Sequence, residues 1–114
     1  VDWPALQELT QMMSQQGVEE QLQAIYSPGT GALAECITAV LQGGVAQQRA
    51  AIHKLKGSLL LLGLQAMAAF CARGEDKLKA NPSQPLGRPW TMGLNALADR
   101  TQDELAVHFD IRRH

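Results

Sequence analysis

The sequence predicts an all-α domain: an antiparallel four-helix bundle with a short extra helix, or pair of helices, at its N-terminus. Three observations predict it. First, 16 Leu, 16 Ala and 12 Gln stand against five Val, four Ile and five Thr, and the former are helix formers while sheets draw on β-branched residues. Second, aromatic residues make up only 4% of the chain. Third, apolar residues recur at helical spacing in four substantial stretches divided by short Gly- and Pro-bearing breaks. With 114 residues and 46% apolar content, residues 1–114 form one domain, able to bury about two thirds of its unfolded surface.

Asp2-Trp3-Pro4 is a helix start, with Asp2 as cap and proline tolerated in the first turn. Leu6, Leu9 and Met13 follow at helical spacing, and Gly17 is expected to break the pattern. Val18, Leu22, Ile25 and Tyr26 make a second short stripe. Ser27 is expected to cap the next helix, with Pro28 at its first position; that helix carries Leu33, Cys36, Ile37, Val40 and Leu41. Gly43-Gly44 ends it, as glycine does at a helix C-terminus. Val45 to about Leu62 is the strongest helix, with Ile52, Leu55, Leu59 and Leu62 in a 3-4-3 repeat. Gly63 ends or bends it. A further helix runs from Leu64 to about Lys79 with Met67, Cys71 and Leu78. Residues 81–89 are dense in breakers and form a loop. Trp90, Leu94, Leu97, Thr101, Leu105 and Phe109 give the last helical stripe, and residues 110–114 are expected to be a frayed tail.

Several function classes fall away. Ten basic residues against 11 acidic give a net charge of −1, which argues against nucleic-acid and acidic-membrane binding. Cys36 and Cys71 lie inside apolar helical patterns without CxxC or Cys/His clustering, so buried, reduced thiols are expected rather than a zinc site or disulfide framework. No apolar run approaches 18 residues and no signal peptide is visible, so neither secretion nor direct membrane insertion is expected. A chain starting at Val1 is expected to be either a processed product or a module cut from a longer protein, and composition does not choose between them. No metal or cofactor is expected on it.

On a helical wheel at about 100° per residue with His53 at zero, Leu62, Leu55, Leu59 and Ile52 fall between about 180° and 260°. His53 therefore points away from the core. Gly57, at about 40°, removes a side chain one turn on from the ring, although glycine inside a helix costs about 1 kcal/mol relative to alanine. Lys54 and Lys56 flank the histidine at about 100° and −60°, and Arg49, one turn earlier at about −40°, is a candidate for attracting an anion or docking a partner. Leu60, Leu61 and Leu64 fall on the same outward face, an apolar patch fit for docking another protein, with at least one of the three expected to be covered by the N-terminal helices. A neutral imidazole keeps one ring lone pair and can act as a nucleophile. Each feature alone has an ordinary reading: a solvated histidine, a solvated charge, a packing glycine. Their coincidence on one face points to an exposed nucleophile prepared to hold an anionic group.

His53-Lys54-Leu55-Lys56-Gly57-Ser58, with Gly63 ten residues after the histidine, resembles the signature of histidine-containing phosphotransfer (HPt) domains, roughly H-x-[LI]-K-G-[SA]. Upstream, Leu33, Ile37, Val40-Leu41, Gly43-Gly44 and Arg49 resemble the family's lead-in to the histidine. Downstream, residues 67–71 and Glu75 resemble its next helix. The resemblance implies a four-helix bundle with one phosphorylatable histidine, here His53, serving as an intermediate in two-component phosphorelays. It implies receiver domains of response regulators or hybrid kinases as partners, Mg²⁺ carried by the receiver, no ATP-dependent kinase activity, and a cytoplasmic location. Lys54 and Lys56 match positions that help to neutralise the phosphoryl group, and Gly57 the position that leaves room for the receiver. The chain departs from the pattern at Ile52, Gly44, Leu60, Leu61 and Gly74; a bend or shortening is expected at Gly74.

Other residues carry less. Glu75 and Lys79 are spaced for an i,i+4 ion pair. His108 and His114 lack partners at ligand spacing and read as surface residues. Ser58 reads as a packing residue, and Trp3 and Trp90 as anchors of helix starts. A monomer is expected, because four helices close their own core. The rival reading is a non-phosphorylated helical adaptor docking proteins through the face around His53. A general-base enzyme is a weaker rival, since no carboxylate partner for His53 is evident in the sequence.

Overall fold

The computed structural model describes residues 1–112. These form five helices: α1 (Trp3–Tyr26), α2 (Ala32–Gln42), α3 (Val45–Leu61), α4 (Gln65–Ala80) and α5 (Arg88–Leu105). No strand occurs among the described residues. Helices α2 to α5 close a ring in which α3 packs on α2 and α4, α4 on α5, and α5 on α2, while α1 lies against α2. The two- and three-residue connections at Gly43–Gly44 and Leu62–Leu64 make successive helices antiparallel.

The two short N-terminal helices predicted from sequence are joined end to end as α1. Asp2 caps the first, its Oδ1 accepting from the Ala5 N–H at 3.2 Å. The break falls at Ser14, not at Gly17. Ser14 has φ 75° and ψ 164°, and its Oγ accepts from the Gly17 N–H at 3.2 Å, so it caps the second stretch as serine does at a helix N-terminus. Ser27 also behaves differently from expectation. It closes α1, with both its N–H and its hydroxyl donating to the Gln23 carbonyl. The chain then turns tightly through residues 28–30, and the Gly31 N–H donates to the Ser27 carbonyl at 2.8 Å, so α2 starts only at Ala32.

The core is formed by Leu22 and Ile25 of α1, Leu33, Cys36 and Val40 of α2, Ile52, Leu55 and Leu59 of α3, Met67, Cys71 and Leu78 of α4, and Leu94, Ala98 and Leu105 of α5. Burying each large aliphatic side chain contributes about 1.5–3 kcal/mol. Leu41, grouped with the α2 stripe by spacing, is instead exposed. Gln48 is the buried polar residue of α3, and its amide is fully used. Nε2 donates to the carbonyls of Val40 and Leu86, and Oε1 accepts from the Leu86 N–H at 2.8 Å. This ties the α4–α5 loop to the start of α3.

The end of α3 determines where the outward face stops. Leu62 is the cap residue and Gly63 has φ 69°. The Leu64 N–H donates to the Leu59 carbonyl at 2.9 Å and the Gly63 N–H to the Leu60 carbonyl at 3.2 Å. These paired bonds with a left-handed glycine make a Schellman ending, which folds the following apolar residue back onto the helix. Leu64, expected on the outward face with Leu60 and Leu61, is therefore buried, at 1% exposure. The wheel does not extend past Leu61.

Helix α4 runs through Gly74 without interruption, so the expected bend is absent. A Cβ on Gly74 would lie 2.8–2.9 Å from three atoms of the Trp90 indole; the glycine makes room for that ring. Trp90 is buried near the start of α5, and α5 begins two residues before it, with Pro89 in its first turn. The expected fraying at 110–114 does not hold for residues 110–112. Ile111 is buried, the Arg112 N–H donates to the Gln23 side chain, and the Asp110 N–H donates to Glu19. His114 lies outside the described residues. No helix among the described residues is long and apolar enough to cross a membrane.

Candidate functional site

His53 sits in the middle of α3 with its side chain 72% exposed. The helix places it there because Ile52 and Leu55, on either side, take the core positions. Its Nδ1 lies 3.3 Å from Oε2 of Glu75 on α4. An ionised carboxylate only accepts hydrogen bonds. With Glu75 ionised, the contact favours the neutral-ring tautomer that carries its proton on Nδ1 and its lone pair on Nε2.

Glu75 is the residue that sequence reasoning missed as part of this site. Spacing pairs it with Lys79, but it turns inward to α3, and Lys56 Nζ lies 2.8 Å from its Oε1. Oε1 is enclosed and has no well-aligned hydrogen-bond donor besides this charge contact. Burial pushes the carboxyl's pKa up, but the contacts with Lys56 and His53 outweigh it and hold Glu75 below the ordinary carboxylate value. A signal was available: Glu75 continues the buried series Met67, Cys71 at four-residue spacing. A carboxylate on a core stripe needs a partner.

The two lysines beside His53 differ. Lys54 is exposed and 3.9 Å from Glu35 of α2, a loose surface pair. Lys56 is only 24% exposed and faces Glu75. Arg49, one turn before His53, is exposed. Gly57 is open: a Cβ added there would meet no atom within 4 Å. Leu60 and Leu61 are both more than half exposed, whereas Leu64 is withdrawn into the core. Ser58 is half-buried, its hydroxyl directed to the Lys54 carbonyl at 3.5 Å.

Other groups stand apart from this face. Cys36 and Cys71 are free, and burial pushes each thiol up to about 12, which suits packing rather than nucleophilic chemistry. His108 is exposed and meets the Trp3 ring edge-on at 5.0 Å. A groove of about 450 Å³ lies between Trp3, Thr10, Gln15 and Phe109, and one of about 470 Å³ between the α4–α5 loop and Trp90. His53 lines neither. No group of three or more His, Cys, Asp and Glu residues able to hold a metal occurs among the described residues.

An exposed imidazole with a carboxylate at one ring nitrogen, on a helix face left open by a glycine, is what a group carrier presents to another protein. The Hpt domain family model matches residues 33–104, well over half of the chain and all of α3 and α4. The chain belongs to the Hpt domain family. Its role is accordingly histidine phosphotransfer in two-component phosphorelays, that of a phosphocarrier module rather than a kinase, with receiver domains as the partner class. No curated protein and no solved structure matches the chain significantly.

Proposed function

We propose that His53 is the phosphorylated residue and that it relays a phosphoryl group between two receiver domains. The observation that carries this reading is the Glu75 contact at Nδ1, which leaves Nε2 as the nucleophilic nitrogen on an open face. In the forward step the Nε2 lone pair forms a P–N bond while the aspartyl O–P bond of the donor receiver breaks, its electron pair returning to the carboxylate. The Nδ1 proton stays where Glu75 holds it, so the phosphorylated ring is an imidazolium and the nitrogen is a competent leaving group. The same arrangement runs in reverse onto a second aspartate, and no proton has to enter or leave the site.

Positioning and charge are what a protein contributes to phosphoryl transfer. Helix α3 positions the ring. The exposed Lys54 and Arg49 supply positive charge for the incoming group. Gly57 clears the approach, and Leu60 and Leu61 offer the apolar part of the receiver's landing surface. Mg²⁺ belongs to the receiver, whose carboxylates hold it, and this chain acts without a cofactor, as a monomer, and without ATP.

The test uses a receiver domain phosphorylated with labelled acetyl phosphate. Label that appears on the chain, is acid-labile and alkali-stable, and is absent from His53→Gln supports the reading. Equal labelling of His53→Gln, or no labelling from any of several receivers, rejects it in favour of a non-phosphorylated adaptor.

A further inference from the structure

Both lysines beside the histidine are expected, by family resemblance, to meet the phosphoryl group. The geometry divides them. Lys56 Nζ is 2.8 Å from Glu75 Oε1, and that lysine side chain is 24% exposed. Lys54 is 79% exposed and only loosely paired, with Glu35 at 3.9 Å. The Glu75 carboxylate has two oxygens with two different duties: Oε2 faces His53 and Oε1 faces Lys56.

We propose that Lys56 is a positioning residue, the counter-charge of Glu75 that keeps this carboxylate from drawing a second proton onto His53, and that the phosphoryl charge is met by Lys54 and Arg49 instead. The inference rests on His53 being the phosphoryl acceptor. Its physical basis is charge balance in an enclosed place. A carboxylate with one cationic partner is satisfied, whereas a carboxylate left alone beside an imidazole favours the imidazolium. The imidazolium has no lone pair on Nε2 and cannot attack phosphorus.

The groups that bear on this balance are few. His53 and Lys56 face Glu75 from α3. Cys71 lies one turn back on α4, with Cys36 of α2 beyond it, and both are buried thiols that stay neutral. From α5 the neighbour is the uncharged Trp90 indole, seated on Gly74. Lys54 and Arg49 lie on the exposed side of His53, with Glu35 of α2 beside Lys54. Lys56 is thus the close cation on the carboxylate.

The experiment is a charge-deletion cycle on the full chain, with transfer from a phosphorylated receiver followed at several pH values. Lys56→Met is expected to slow transfer at neutral pH about threefold, with about tenfold as the ceiling for a one-unit change in ring protonation, and to recover as the pH rises. Removing both charges, in Lys56→Met with Glu75→Gln, is expected to return the rate to that of Glu75→Gln alone. Lys54→Met is expected to slow transfer at every pH and to gain nothing from Glu75→Gln. If Lys56→Met slows Glu75→Gln as much as it slows the parent, Lys56 acts on the phosphoryl group and the proposal is overturned.

Ring-nitrogen NMR gives a readout independent of transfer and of the variant's stability. The share of doubly protonated His53 at neutral pH rises in Lys56→Met and stays at the parent's level in Lys56→Arg. An unchanged share in Lys56→Met also overturns the proposal. Because the ring signal needs no receiver, failure of the phosphotransfer reading leaves this result standing as a separate fact.

Discussion

The seam between α4 and α5 and the outer face of α3 use glycine for opposite purposes. At the seam, the space is already taken. A Cβ on Gly74 would press on the Trp90 indole, and one on Gly93 would come within 2.8 Å of the Phe70 ring. The two rings, 5.3 Å apart, each rest on a glycine of the facing helix. On the outer face of α3, the space beside Gly57 is empty. Nothing within the molecule requires a glycine there, and the helix loses stability by having one. The seam's glycines serve this chain's own packing; under the proposed function, Gly57 leaves room for the receiver that comes to His53.

Substitutions can break that contrast or sharpen it. The largest stability effect is expected between two leucines that sequence placed together. Leu64→Ala should cost about 2–5 kcal/mol because a buried leucine leaves a cavity. Leu60→Ala should change stability by less than about 0.5 kcal/mol while weakening receiver binding. Denaturant unfolding and a receiver titration read the two. At the seam, Gly74→Ala should lose about 1–3 kcal/mol by overpacking against Trp90, with a disturbed tryptophan emission. Gly57→Ala should instead gain up to about 1 kcal/mol in unfolding experiments while slowing transfer from a phosphorylated receiver. Equal signs for the stability changes of the two glycine variants would erase the contrast.

A smaller effect is expected from acid titration. The folded state holds Glu75 below the ordinary carboxylate value, near 4.5, because its contacts with Lys56 and His53 outweigh the burial that would raise it. A depressed carboxyl stabilises the folded state at pH values above the unfolded value, and that contribution is lost as pH falls through the folded value. The stability difference between the parent and Glu75→Gln should therefore be flat at neutral pH and shrink on acidification below about 4.5. A difference that grows on acidification would contradict the assigned contacts.

What could be read from the sequence was what lies within one regular helix. His53, Lys54, Gly57 and Arg49 fall on the exposed side of α3 because periodicity holds from Val45 to Leu61. Leu64 escaped because helix endings follow backbone hydrogen bonding at Gly63, which a wheel does not contain. Ser14 escaped because its positive φ belongs to the junction of two stretches, and residue spacing carries no record of how one stretch joins the next. Glu75 escaped as a site residue because its partners lie across a helix interface, 22 residues away in the case of His53. Its place on the α4 core stripe was the legible hint. The docking of the tail was signalled only by Ile111, an apolar residue among polar ones.

The central claim is that Glu75 fixes the His53 tautomer so that Nε2 alone carries the phosphoryl group. Phosphorus–nitrogen correlation NMR on the chain, labelled in its histidine rings and phosphorylated by a receiver, tests it directly. Coupling of phosphorus to Nε2 of His53, with Nδ1 still protonated, is the expected result. Phosphorus bonded to Nδ1, or to any residue other than His53, would contradict it.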